Sequence, residues 1–298
     1  MQRRSFLTTP LLLAAPLAAS NSIAEDLVAA DGARPSGRLR HSVVPWCFRE
    51  THSPEQLIAL APTLGLSAIE LIDPKHWPAM KDAGLACAIA GSHGFRTGPN
   101  HRANWDQCRR VLTERIGQAA AFGVERVITF VGMATHPEAG RISRDEGLAN
   151  CEAFFKSMMP ACEAAGVTLC LEMLNSRDDS HPMKGHPGYQ GDDIDQCAAL
   201  CRRVGSARMK LLFDIYHVQI MNGDLIRRIR EHAELIGHVH TAGNPGRGEL
   251  DDSQEINYPA VAKALIEVGY DGFVGHEFIP TGDPVAGLRQ AIAACGGA

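Results

Sequence analysis

Four short apolar runs in the second half of the chain end on residues that can hold a cation or carry a proton. They are Leu171-Glu172-Met173-Leu174-Asn175, Leu212-Phe213-Asp214-Ile215-Tyr216-His217, His238-Val239-His240 and Gly275-His276-Glu277-Phe278. Glu172, Asp214, His240 and Glu277 together are mainly hard oxygen donors with one imidazole. Such a set suits Mn²⁺, Mg²⁺ or Co²⁺ better than a structural zinc, which favours thiolates and several imidazoles. One of these carboxylates alone would read as a helix cap or a surface ion pair. Four at equivalent places are different, because clustered charges at strand ends are costly unless they share a cation. Spacing leaves open whether His238 or His240 supplies the imidazole. Residues two apart share a face only where a strand stays regular to its end, and His238 is expected to face away.

Something must bring those ends together. From Arg40 onward, apolar runs alternate with amphipathic helical stretches. Strands are predicted at residues 41–47, 67–72, 85–90, 126–131, 167–173, 209–213, 236–240 and 272–278. Helices are predicted after Ser53-Pro54-Glu55, over 105–122, 146–165, 193–204, 223–232 and 258–268, and from 284 to 294. Several stop at a glycine, the usual residue just past a helix end. The strands are continuous apolar runs, the signature of strands buried on both faces in a parallel sheet. Eight such units over residues 39–297 match a single-domain (β/α)8 TIM barrel, an α/β fold of about 250 residues. A doubly wound open sheet is the alternative, but no Gly-x-Gly-x-x-Gly turn follows the first strand. Two long loops, 175–192 and 241–257, follow strands and so should lie on the face where such barrels keep their chemistry.

Composition narrows the function classes. The chain has 298 residues, 45% hydrophobic and 21% charged, enough to bury a core. A net charge of −5 argues against nucleic acid as a partner, since that surface would carry a basic footprint. The nine cysteines form no Cys-x-x-Cys pair and mostly sit in apolar runs, so they read as small buried hydrophobes rather than a disulfide framework.

The N-terminus is read separately. Met1-Gln2-Arg3-Arg4-Ser5-Phe6-Leu7 leads into an apolar stretch from Leu11 to Ala19 followed by small residues, the pattern of a secretory signal. The Arg-Arg-Ser-Phe-Leu order resembles a twin-arginine export signal. Residues 1–24 are therefore expected to be a signal peptide and 25–38 a linker, with the mature protein periplasmic or exported. The apolar stretch is short of the ~20 residues that span a bilayer, so no membrane insertion of the mature chain is expected.

From about Arg40 to Ala294 the chain resembles the hydroxypyruvate isomerase and tagatose/psicose 3-epimerase branch of the xylose-isomerase-like barrels. The resemblance is carried by Gly237-His238-Val239-His240-Thr241-Ala242, Gly248-Glu249-Leu250, Glu255-Ile256-Asn257-Tyr258-Pro259-Ala260 and Val274-Gly275-His276-Glu277-Phe278-Ile279-Pro280. It implies one divalent ion, Mn, Mg or Co with Zn as a further candidate, held by Glu172, Asp214, His240 and Glu277. It also implies that Glu172 and Glu277 exchange protons with the substrate. His217 would hold a substrate oxygen, Arg247 would contact a substrate hydroxyl or carboxylate, and Glu70 and His93 would line the pocket. The substrate class implied is a small hydroxy-ketone or sugar, and relatives of this kind often form homo-oligomers. One departure matters: hydroxypyruvate isomerases tend to carry Gln where His240 stands, whereas the ketose 3-epimerases carry His.

The chemistry expected of such a site is a proton shift between adjacent carbons through an enediolate. Competing readings are a ketose 3-epimerase, a non-catalytic sugar-binding barrel, and an endonuclease-IV-like repair enzyme. The last needs more strand-end histidines and a basic crescent around the mouth, against which the acidic balance counts.

Overall fold

Each barrel strand is a run of residues buried on both sides, which is why it pairs in parallel and has no wet face. In the computed structural model, which describes residues 39–296, eight strands form one sheet. They are β1 (Arg40–Val43), β2 (Ala68–Ile69), β3 (Ala86–Cys87), β4 (Arg126–Thr129), β5 (Thr168–Glu172), β6 (Met209–Asp214), β7 (Ile236–Thr241) and β8 (Phe273–His276). Their order is β3-β2-β1-β8-β7-β6-β5-β4, and every pairing is parallel. The two ends of the sheet meet just beyond β3. There the Ala90 N–H donates to the Arg126 carbonyl at 2.9 Å, and the Ala90 carbonyl accepts from Ile128 N at 3.0 Å. The result is a barrel of the TIM type, as the apolar runs predict, and not an open doubly wound sheet. The expected signal (1–24) and linker (25–38) lie outside the described residues, as does residue 297.

Helices cover the outside and set the strand ends. α1 (Pro54–Leu60) begins at a capping box in which Ser53 and Gln56 satisfy each other's backbone N–H, with proline at its first position. α2 spans Trp77–Asp82. α3 (Trp105–Phe122) stops at Gly123, whose φ of +80° turns the chain into β4. α4 (Arg144–Ala165) and α5 (Ile194–Val204) follow. The helix expected over 223–232 is α7 (Leu225–Glu231), and a further helix, α6 (Ile215–Met221), precedes it where none was expected. α6 starts straight from β6 because Asp214 caps it, its Oδ1 accepting from His217 N at 3.1 Å. α8 (Tyr258–Glu267) and α9 (Pro284–Cys295) complete the ring.

The core inside and around the barrel includes Val43, Leu171, Leu211 and Phe213, all fully buried. All nine cysteines are free thiols, and all but Cys87 are buried, in keeping with their reading as core residues. The long loops run from β5 to α5 and from β7 to α8, both on the C-terminal side of the strands. A short antiparallel hairpin, Thr135–His136 with Gly140–Arg141, was not evident from sequence. Among the described residues, no helix is long and apolar enough to cross a membrane.

Candidate metal centre and pocket

Parallel strands ending together put four side chains on one rim. Glu172 closes β5, Asp214 closes β6, His240 lies one residue before the end of β7, and Glu277 follows β8. The register sets Asp214 opposite His240, and His240 opposite Gly275. All four side chains are buried, and each offers a ligand atom within 4.8 Å of the others. His240 Nδ1 is central: it lies 2.9 Å from Glu277 Oε2, 3.3 Å from Glu172 Oε1 and 4.0 Å from Asp214 Oδ2.

The chemistry of this set fits a divalent ion. Three carboxylates buried together repel one another and have lost their water. Arg247 answers part of that charge, with Nη2 at 2.6 Å from Glu277 Oε2 and 3.6 Å from Asp214 Oδ2. The remainder is left over: Glu172 Oε1 and His240 Nδ1 are buried with no aligned hydrogen-bond partner. Burial pushes Glu172 up to about 7, with the Glu277 and Asp214 charges adding to the effect and His240 opposing it. Burial likewise raises Asp214 to about 6, against the pull of Arg247. For Glu277 burial acts upward too, but His240 and Arg247 outweigh it and bring the carboxyl down to about 2. Burial would lower His240, yet the charges of Glu277 and Glu70 hold its imidazolium well above the usual range. The cluster is therefore short of positive charge and gathers it where it can.

Beside the ligands lies a cavity of about 220 Å³. Its walls include Glu172, Glu277 and Arg247 on one side and Trp46, Phe95 and Phe130 elsewhere. Arg247 sits at φ +57°, a left-handed conformation uncommon outside glycine. Its Nη1 donates to the Met183 carbonyl at 2.5 Å, tying loop 241–257 to loop 175–192. Its guanidinium also lies over the Trp46 ring, 5.3 Å from the centroid. His217 is fully buried behind the ligands. Its Nδ1 accepts from Asn175 N at 3.1 Å and Asn175 Nδ2 at 2.7 Å, so its proton belongs on Nε2, which has no partner. Burial and the nearby Arg247 hold this imidazole neutral, well below its ordinary pKa.

Sequence reasoning and geometry part at two histidines and one acid, His238, His93 and Glu70. His238 does not face away. β7 slips its register with β6 at Gly237 but pairs regularly from His238 onward, so His238 shares a face with His240 one layer deeper, and its Nε2 stands 2.5 Å from Glu70 Oε2. Glu70 is not on the pocket wall but beneath the ligands, because β2 is short and its next residue still points into the barrel. His93 stands behind the wall that Ser92 and Gly94 form, with its ring nitrogens 3.0 Å from the Gly94 carbonyl and 2.9 Å from Thr129 Oγ1. Trp46 was missed. It lines the cavity and donates its indole N–H to Glu277 Oε1 at 2.8 Å. Its place in the short turn Pro45–Phe48 that follows β1 was the signal, since that turn lies on the same C-terminal side of the strands as the other four.

Comparison with known proteins gives a consistent result. The family model for the xylose isomerase-like TIM barrel matches residues 58–295. The 2-oxo-tetronate isomerase of Cupriavidus necator is 33% identical over 203 residues, 67% of this chain and 71% of that protein. A Homo sapiens protein provisionally named hydroxypyruvate isomerase is 32% identical over 249 residues, 82% of this chain and 81% of its own. Among solved structures, an AP endonuclease of family 2 from Brucella melitensis superposes with a TM-score of 0.71 at 23% identity, over 86% of this chain and 98% of that one. An L-ribulose 3-epimerase does so with a TM-score of 0.70 at 20% identity, over 86% and 92%. At these identities the two structures speak for the shared fold alone.

Proposed function

The chain belongs to the xylose isomerase-like TIM barrel family, and we propose that it is a divalent-metal-dependent isomerase of the hydroxypyruvate isomerase kind, moving a proton between adjacent carbons of a small hydroxy-ketone or sugar. The observation that carries this reading is the convergence of Glu172, Asp214, His240 and Glu277 within 4.8 Å beside a small cavity. Names borne by the relatives, hydroxypyruvate isomerase and 2-oxo-tetronate isomerase, agree with an enzyme of this class.

Glu172, Asp214, His240 and Glu277 would hold one Mn²⁺, Mg²⁺ or Co²⁺, with Zn²⁺ as the less suited choice for so oxygen-rich a set. The bound ion would supply a Lewis acid for the substrate's carbonyl and neighbouring hydroxyl. The protein's own groups do the rest. Glu172 and Glu277 face the same cavity with proton affinities pushed apart, the arrangement expected of an acid and a base. Glu172, facing the cavity with one oxygen unpartnered, would take the α-proton and return it to the adjacent carbon. Glu277, fixed at both oxygens by Trp46 and Arg247, would take the proton of the substrate hydroxyl and return it to the neighbouring oxygen, so that the proton leaving carbon and the proton leaving oxygen are both accounted for. The unpartnered Nε2–H of His217 is a donor for a substrate oxygen, and Arg247 is the cation available to a hydroxyl or carboxylate.

A ketose 3-epimerase is the second reading, favoured by the imidazole of His240 in the ligand set. The same two glutamates would then act on opposite faces of one carbon. Small hydroxy-ketones or sugars are the partners in either case. With the signal-like start at residues 1–24, we also propose that the protein works outside the cytoplasm.

The test is metal content of the purified protein beside a Glu172→Ala, Asp214→Ala variant, followed by exchange of the substrate α-proton with deuterated solvent. About one equivalent of metal, lost in the variant, together with exchange on hydroxypyruvate or a ketose is the expected result. No metal after reconstitution, or metal without exchange on any of them, would leave a barrel that binds without reacting.

A further inference from the structure

The chemistry above makes no use of Glu70, although it is fully buried on the barrel axis. Its Oε2 lies 3.0 Å from His240 Nε2 and 2.5 Å from His238 Nε2, and its Oε1 accepts from Ser42 Oγ at 2.6 Å. Each oxygen is thus occupied. The other nitrogen of His240, Nδ1, is turned up toward Glu172, Asp214 and Glu277. An imidazole that donates one N–H to a carboxylate is fixed in tautomer and ring angle, and the lone pair of its second nitrogen is left for a cation.

The space for this carboxylate is built in. A Cβ on Gly275 would come 1.9 Å from Glu70 Oε1 and 3.0 Å from His240 Cδ2. The glycine two residues before Glu277 is therefore what lets Glu70 reach His240. Glu70 follows β2, Ser42 lies on β1, Gly275 on β8 and both histidines on β7, so four adjacent strands cooperate in one contact.

From this geometry we infer that Glu70 is a positioning residue for the metal centre, which with His238 as its second donor orients His240 so that Nδ1 faces the ion. The inference rests on the metal-centre reading above. Glu70, His238 and His240 could themselves be taken for a second cation site, since their ligand atoms also lie close together. The separations of 2.5 and 3.0 Å, with Oε1 engaged by Ser42, are those of hydrogen bonds and favour the positioning role.

The experiment titrates Mn²⁺ into the metal-stripped full chain and into Glu70→Gln and Glu70→Leu. Leucine removes the acceptor, while glutamine keeps one without the charge. Affinity is expected to fall by about 10–100-fold in Glu70→Leu and less in Glu70→Gln. The nitrogen coupling of His240 to bound Mn²⁺, read by pulsed EPR, should weaken in the same order. Affinity in Glu70→Leu within threefold of wild type would overturn the inference while leaving the metal centre standing. Should Glu70→Leu not fold, Glu70→Gln carries the test, and unchanged affinity there overturns it equally. Two equivalents in wild type and one in Glu70→Gln would make Glu70 a ligand and overturn it too. A wild-type chain that takes up no Mn²⁺ would remove this inference and its parent together.

Discussion

Trp46 donates its indole N–H to Glu277 Oε1 at 2.8 Å, from the end of the first strand to a carboxylate just past the last. The contact closes the barrel's rim chemically at the place where β1 and β8 pair. It also occupies the one Glu277 oxygen that Arg247 does not hold. Trp46→Phe keeps the ring that lines the cavity and removes only this donor. A hydrogen bond to a charged group contributes about 1.5–3 kcal/mol, so kcat is expected to drop on the order of tenfold or more with little change in Mn²⁺ affinity. Steady-state kinetics beside metal titration check this, and unchanged kcat would remove Trp46 from the machinery.

Glu277→Gln should separate binding from chemistry. The amide still fills the space between Trp46 and Arg247 but takes no proton. Loss of a positioned acid or base typically removes about 10²–10⁴-fold of rate. Turnover is expected to disappear into the background while metal binding is only weakened, and the α-proton exchange that Glu172 supports is expected to outlast it. Retained turnover would take Glu277 out of the proton path.

Much of this site is legible in the chain because each ligand ends a continuous apolar run. Glu172, Asp214, His240 and Glu277 stand out as ionisable residues where buried strands stop, and a parallel barrel brings all such stops to one rim. What sequence does not carry is depth. Glu70 directly follows β2 and His93 lies in the loop after β3, yet one sits beneath the ligands and the other behind the cavity wall, because strand length and stagger decide which layer a side chain enters. α6 was hidden for a related reason. Asp214-Ile215-Tyr216-His217 continues the apolar run of β6 without a break, and only the Asp214 cap turns it from strand to helix. Trp46 resembles any core tryptophan until Glu277 is found beside it.

Arg247 is the only guanidinium among the cavity-lining residues, and it is buried against Glu277 and Asp214. Removing it as Arg247→Met leaves two carboxylates without their cation. Breaking a buried pair in this way costs about 3–5 kcal/mol. In excess chelator the variant should therefore melt well below wild type, and saturating Mn²⁺ should recover part of the difference by supplying charge from the other side. A melting temperature indifferent to both the substitution and the metal would mean that water, not Arg247, solvates these carboxylates.

The raised pKa of Glu172 makes a further prediction about stability without metal. Its folded value is about 7 against an ordinary 4.5, so between those limits the folded chain keeps a proton that the unfolded chain releases. Stability then falls as pH rises through that window, by up to about 1.4 kcal/mol per pH unit for one proton. Below 4.5 both states hold the proton and above 7 neither does, so the penalty is absent at the acid end and constant at the other. Buried neutral histidines such as His217 act in the opposite sense, since the unfolded chain takes up their protons first as pH falls. Glu172→Gln isolates the carboxylate from them. In chelator, wild type should lose stability relative to Glu172→Gln from pH 4.5 to 7, and saturating Mn²⁺ should reverse that trend because the ion favours the ionised form. Denaturant unfolding curves at four or five pH values are sufficient. Parallel curves for the two proteins in chelator would show that Glu172 is ionised as readily in the metal-free fold as outside it.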